Sequence, residues 1–287
     1  TDELKAEIAK AEILQRVEDL YKPFKQKKST RASKARDKGL EPLADIIWAQ
    51  EEESGDLPEH AEMYVNAEKD VNSSEDALAG ASDILAERIA DDPEIIDTVR
   101  TFTRETGILV SEATDPEEKT VYDMYYEYSE AAAKIPNHRV LAINRGEKEK
   151  KLKIKLKVDT DAVQEKILAA VITNDKSISL PILEATAADA YKRLMAPSVE
   201  REIRGELTER AEREAVKVFA KNTENLLMVP PVKGARVLSV DPGYRTGCKV
   251  AALSDTGKLL AYATIYPTEP KNDIAGAERI ITKLIDK

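Results

Sequence analysis

The sequence predicts a mainly α-helical chain with a small β element near its middle and an α/β segment at its C-terminal end. Three observations carry that prediction. Apolar residues recur at helical spacing between capping residues over most of the first 228 positions. Lys151-Leu-Lys-Ile-Lys-Leu-Lys-Val158 alternates without a break and is the clearest period-2 signal in the chain. Near the end, the apolar run Arg236–Val240 stops at Asp241-Pro-Gly-Tyr-Arg-Thr-Gly247 and resumes as Cys248-Lys-Val-Ala-Ala-Leu253.

From the N-terminus, Leu4, Ile8, Ala11, Leu14 or Gln15, Val17 and Leu20 give a helical stripe that ends before Pro23. Ser29 and Thr30 cap a short basic helix closed by Gly39, and Pro42 lies at the start of a second over Leu40–Gln50; two short helices joined by glycine have helix-turn-helix character. Ser73 or Ser74 caps a helix to about Ala90, and Asp92-Pro93 starts another that ends at Gly107. A Tyr-rich segment follows, then Pro136-Asn-His opens a helix through Asn144, closed by Gly146. After the Lys151–Val158 strand come helices at Asp161–Ile172 and Leu180–Leu194, and Pro197 begins a long, charge-laced one reaching about Asn222. Val229-Pro-Pro-Val-Lys-Gly234 reads as a stiff linker and sets the expected domain boundary at 228/229. Beyond it, Arg236–Val240, a strand from Cys248, the turn Asp255-Thr-Gly257, a strand over Lys258–Tyr266 and a helix over Ala275–Asp286 complete the pattern. Strand, strand, strand, helix, with an aspartate ending the first strand, resembles the opening of a ribonuclease-H-like fold.

The net charge of −10 is a poor guide to partners, because it averages over a strong asymmetry. From Lys22 to Lys38 there are eight cations (Lys22, Lys25, Lys27, Lys28, Arg31, Lys34, Arg36, Lys38) against one anion, Asp37. From Glu41 to Asp76 twelve acids face the single cation Lys69. The dense basic segment is placed to contact phosphates; the plainer alternative is a solvated patch that pairs with the acidic segment within the fold. Tyr21 and Phe24 beside it have the shape to stack on bases, although a core role at a helix end is the commoner use. The lysine face of 151–158, with Lys151, Lys153 and Lys155, has two readings as well: phosphate contact, or an edge strand guarded against aggregation by its charges.

Asp241 at a strand tip is placed as a metal- or phosphate-facing carboxylate would be, but two-metal hydrolysis needs several converging carboxylates. The expectation is therefore no catalytic site in this chain, with Asp241 a candidate or vestigial position only. No metal site and no cofactor are expected; His60 and His138 have no second ligand at metal spacing, and His138 reads as a first-turn helix residue. The single Cys248 fits a reducing compartment and a small apolar role in a strand core. With no apolar stretch long enough for a membrane span and no signal-peptide pattern, a cytoplasmic location without membrane contact is expected.

Several stretches, in order along nearly the whole chain, resemble the bacterial Tex family of transcription accessory proteins. They are Val17-Glu-Asp-Leu-Tyr-Lys-Pro-Phe-Lys-Gln-Lys-Lys-Ser-Thr-Arg31 with Gly39-Leu-Glu-Pro-Leu-Ala-Asp45, Gly80-Ala-Ser-Asp-Ile-Leu-Ala-Glu87, Tyr128-Ser-Glu130, Ile135-Pro-Asn-His-Arg139 with Arg145-Gly-Glu147, and Val240-Asp-Pro-Gly-Tyr-Arg-Thr-Gly247. The resemblance implies a helical region over 1–228, with a helix-turn-helix part at about 1–55 and a β element at about 149–158, followed by a truncated ribonuclease-H-like domain of the YqgF type over 229–287. Family members continue into helix-hairpin-helix modules and an OB-fold RNA-binding domain, so the chain, which begins at Thr1 and not at Met, is expected to be a fragment. Strand 236–240 is then expected to be central in the whole protein and to have an open edge here. The implied function is a nucleic-acid-binding scaffold in transcription, with RNA or DNA as ligand and transcription machinery as a possible partner. Two alternatives stand beside it: a metal-dependent nuclease or junction resolvase in the intact protein, and a helical protein-interaction platform built on the long charged helix.

Overall fold

The computed structural model describes residues 2–11, 14–25, 29–230, 232–243 and 245–286. They form two compact units, Thr1–Val218 and Phe219–Lys287.

The first unit opens with α1 (Asp2–Lys10) and α2 (Leu14–Tyr21), two helices where the sequence suggested one stripe. A 3-10 turn at Lys22–Phe24 follows, then α3 (Arg31–Asp37), α4 (Glu41–Ala49) and α5 (Leu57–Glu62). Thr30 caps α3 reciprocally: its Oγ1 accepts from the Ser33 N–H at 3.0 Å, and Ser33 Oγ accepts from the Thr30 N–H at 2.8 Å. Gly39, at φ +86, makes the turn into α4 that a side chain would strain. The centre of the unit is α6 (Ser74–Asp91), capped by Ser73 as expected. Its buried face alternates Ala77, Ala81, Ala86 and Ala90 with Ile84, Leu85 and Ile89, so α3, α4, α5 and α10 (Leu180–Asp189) all pack against it. Asp92 then caps α7 (Pro93–Thr106) by accepting from the Glu94 and Ile95 N–H groups.

After Gly107 the chain enters a strand that the sequence reading missed, β1 (Ile108–Ala113), and the Tyr-rich segment ends in a second, β2 (Glu127–Ala131). With β3 (Leu152–Lys157) they form an antiparallel sheet of order β2-β1-β3. The β element is therefore larger than 149–158. Between β2 and β3, α8 (Asn137–Lys148) runs past the residue expected to close it. Gly146 lies inside that helix because a Cβ there would stand 2.6 Å from Leu152 Cδ1; close packing on β3, not helix termination, explains the glycine.

Helix α9 (Thr160–Val171) precedes α10, which passes through a π-helical turn, Ala190–Met195, directly into α11 (Ala196–Leu227). Pro197 was expected to begin this helix, but the rod is continuous because the wide turn already shifts the hydrogen-bond pattern where proline lacks its N–H. Val199, Ile203, Leu207 and Ala211 form the buried stripe of α11.

In the second unit, β4 (Val237–Asp241), β5 (Cys248–Leu253) and β6 (Leu259–Ile265) form an antiparallel meander of order β4-β5-β6 covered by α12 (Ile274–Ile285). Cys248, Val250, Ala252, Ile265, Ala277 and Leu284 make its core. The buried strand is β5; β4 is an edge strand with Val237 and Val240 exposed, the open edge expected for 236–240.

Candidate nucleic-acid interface

The basic segment divides into cations held by the fold and cations left outward. Lys22 Nζ donates to the Ala90 carbonyl at 2.8 Å and lies 3.5 Å from Asp91. Arg36 bonds Glu87 at 2.8 Å and contacts Glu41 at 3.4 Å, and Lys38 bonds the Asp70 carbonyl and carboxylate at 2.7 and 3.1 Å. Burial works against the charge on Arg36, but the bond to Glu87 and the nearby carboxylates hold its pKa above the ordinary guanidinium value. Ala32 and Ala35 turn one face of α3 inward, which leaves Arg31 and Lys34 exposed on the other. Arg31 lies in the field of Asp83 and Asp189 without an ion pair among the described residues, and Lys25 and Lys34 have none either. Lys27 and Lys28 lie outside the described residues.

Tyr21 and Phe24 are 54% and 62% exposed, so the core role expected of them does not hold. Tyr21 ends α2 and Phe24 ends the 3-10 turn that follows it. Beside them, a cavity of about 560 Å³ is lined by Lys25, Arg36 and Arg88 but also by Glu87, Asp91 and Asp92, so it is not a cationic pocket.

The strand lysines also divide. Leu152 and Ile154 point into the core while Lys153, Lys155 and Lys157 are exposed. Lys151 is tied to Glu118 at 2.6 Å, a bond that raises its pKa, and Lys157 stands 4.0 Å from Glu112. Lys153 and Lys155 have no ion pair among the described residues. β3 is an edge strand, and its Leu156 N–H donates to Glu200 of α11 at 3.0 Å, which closes part of that edge.

Asp241 ends β4, exposed, in register with Lys249 of β5 and not with a second carboxylate. Tyr244 of the same motif lies outside the described residues. Among the described residues no three His, Cys, Asp or Glu side chains gather as a metal site would require. His60 contacts Glu52 at 3.0 Å, and His138 sits in the first turn of α8.

Sequence reasoning missed one charged cluster entirely. Arg100 of α7, 5% exposed, bonds Asp19 of α2 at 2.8 Å and Asp97 at 3.0 Å, and its Nε lies 2.6 Å from Glu202 of α11. The last contact is off the hydrogen-bond axis and acts as an ion pair. Burial lowers the pKa of Arg100, but the Glu202 and Asp19 carboxylates beside it outweigh this and raise it; burial pushes Glu202 above the usual carboxylate range. The group joins three helices, α2, α7 and α11.

A helical unit containing one small antiparallel sheet is thus followed by a β-β-β-α unit with an aspartate at the first strand's tip. Residues 52–219 match the family model described as Tex central region-like, and residues 235–287 match the Tex protein YqgF-like domain. The chain belongs to the Tex family. It is 44% identical to the uncharacterized protein YdcI of Bacillus subtilis over 100% of this chain and 40% of that protein. It is 34% identical to the transcriptional accessory protein Tex of Neisseria gonorrhoeae over 98% of this chain and 38% of that protein. S1 RNA-binding domain-containing protein 1 of Pongo abelii is 32% identical over 87% of this chain and 26% of its own length. The chain thus spans 40% or less of the length of these curated relatives. No helix among the described residues is long and apolar enough to cross a membrane.

Proposed function

We propose that this chain is the N-terminal, phosphate-contacting scaffold of a Tex-type protein that binds nucleic acid during transcription, and that it binds without cleaving. The observation that carries the reading is the set of outward lysines: Lys25 and Lys34 in the basic segment, and Lys153 and Lys155 on β3, are exposed and unpaired among the described residues. Cations whose charge the fold already neutralises, such as Lys22 and Lys38, gain little from a phosphate; free ones release counterions when they meet it. The names of the Neisseria and Pongo relatives, which specify transcription and RNA binding, support the same reading. Asp241, opposite a lysine at an exposed strand end, supports a contact or turn role over metal-assisted hydrolysis.

The test is a salt titration of binding to single-stranded RNA, duplex RNA and duplex DNA. Removing one lysine–phosphate pair should flatten the slope of log affinity against log salt by about 0.9 on duplex DNA or about 0.7 on single strands. Lys25→Ala with Lys34→Ala, and Lys153→Ala with Lys155→Ala, should each flatten it. An unchanged slope in both double variants would sink the interface, and magnesium-dependent cleavage abolished by Asp241→Asn would replace binding with catalysis.

A further inference from the structure

Beside the exposed row of β3 lies a cavity of about 720 Å³ that the proposed function leaves unused. Its size is within the range of about 300–1,000 Å³ typical of ligand sites. Leu156 and Val158, from β3 and the residue after it, and Ala188 and Ala196, from the α10–α11 rod, supply apolar walls. Among its polar lining, Gln164 of α9, half-buried, and Tyr191 make no side-chain hydrogen bond among the described residues.

Tyr191 is the informative one. It is 6% exposed and sits in the π-helical turn, a distortion of the helix that recurs at functional sites. Its hydroxyl makes no hydrogen bond among the described residues and is not one of the side-chain polar atoms closed off from solvent, so it is open to the cavity and free to bond what enters. Burial, with a contribution from Glu200, pushes its pKa up, so the hydroxyl stays protonated and able to donate. The charges around the opening are suited to an anionic backbone. Lys157 and Lys192 line it, and Lys155 lies beyond it on the same face of β3 as Lys157. The acid in its wall, Asp189, is already bound by Arg193 at 2.5 and 3.1 Å, and Glu200 accepts the Leu156 N–H.

We infer that this cavity takes one unstacked base of a single-stranded nucleic acid, with the Tyr191 hydroxyl and the Gln164 amide bonding the base edge and Lys157 and Lys192 holding the flanking phosphates. The aliphatic walls accept the base face, as apolar side chains do around a base taken out of its stack. The inference rests on the nucleic-acid reading above but adds a site, a ligand part and a preference for single strands.

The experiment measures binding of the chain to a uridine dodecamer and to the same sugar-phosphate backbone without bases, in wild type, Tyr191→Phe, Ala188→Leu and Lys25→Ala/Lys34→Ala. Tyr191→Phe removes only the unpartnered hydroxyl, so its melting temperature should hold or rise. Its affinity for the dodecamer should fall about three- to tenfold, with the salt slope and the abasic backbone affinity unchanged. Ala188→Leu, which fills the cavity, should erase the wild type's advantage for the base-bearing strand. If Lys25→Ala/Lys34→Ala weakens binding while both cavity variants bind like wild type, the cavity proposal is overturned and the nucleic-acid reading stands; the cavity would then suit an apolar peptide side chain instead. Equal loss on the abasic backbone would also overturn it, and no binding by wild type would remove both readings.

Discussion

The two units solve the same problem of burial very differently. In the first, forty apolar residues of one continuous cluster are buried among the described residues, centred on α6. In the second, six are. The second instead leaves Val237, Val240, Leu259, Tyr262, Ile274 and Ile285 in solvent, on two edge strands and a helix end. Small domains bury a lower fraction of their surface and sit closer to the stability limit. The contrast teaches that the first unit is a self-supporting framework able to hold outward lysines at fixed spacing, while the second is held by its central strand.

The largest expected effect breaks the framework at its buried charges. Arg100→Ala leaves Asp19 and Glu202 buried beside a missing counter-charge, a change that costs about 3–5 kcal/mol. Trp48, the single tryptophan, lies half-buried in α4 of the first unit, so its fluorescence in a urea titration reads that unit. A loss below about 1 kcal/mol, the size of an exposed pair, would mean that water reaches the cluster.

A second pair of substitutions tests the comparison directly. Ile47, fully buried in the first unit, and Ile265, 4% exposed in the second, are both expected to lose about 2–5 kcal/mol on truncation to alanine. The Ile47 variant should lie at the upper end because its dense surroundings cannot collapse around the void. The Ile265 variant should lose less but suffer more, since six residues share that core: amide exchange across β5 and β6 should become uniformly fast, while Ile47→Ala keeps a protected α6. Protected β5 amides in Ile265→Ala would show that the second unit has more reserve than its core implies.

Legibility in the sequence follows the range of the forces involved. Local devices were readable: the Thr30, Ser73 and Asp92 caps, the alternation of β3 and the order of elements after Arg236 all follow from neighbours a few residues apart. β1 and β2 were not, because Ile108-Leu-Val110 is too short an apolar run to declare a strand alone and Glu127-Tyr-Ser-Glu-Ala131 is too polar to signal one until β1 pairs with it. The glycine at 146 looked like a stop because its reason, Leu152, lies on another element. At the candidate interface, charge density was visible but its division was not: Asp70 and Asp91, which hold Lys38 and Lys22, are far away in sequence. Tyr191 gave no signal at all, since only tertiary packing buries its ring and makes it line a cavity.

The smallest effect sharpens how much of the first unit's stability is ionic. Arg193 lies 3.0 Å from Asp83 and 2.5 Å from Asp189, yet the two carboxylates shift in opposite directions. The hydrogen bond to Arg193 lowers Asp189, so its stabilising contribution is complete above the ordinary aspartate pKa of about 3.9 and is lost as pH falls through the lower folded value. Burial raises Asp83 in spite of Arg193, so its contribution is present below that ordinary value and is lost as pH rises through the higher folded one. On acidification one contribution fades while the other grows. Asp189→Asn should therefore flatten the loss of stability toward acid, and Asp83→Asn should steepen it, with Trp48 as the reporter of both. Parallel changes in the two variants would mean that Arg193 does not divide its charge between them, and that the framework's acid response originates elsewhere, with the buried Arg100 cluster the next place to probe.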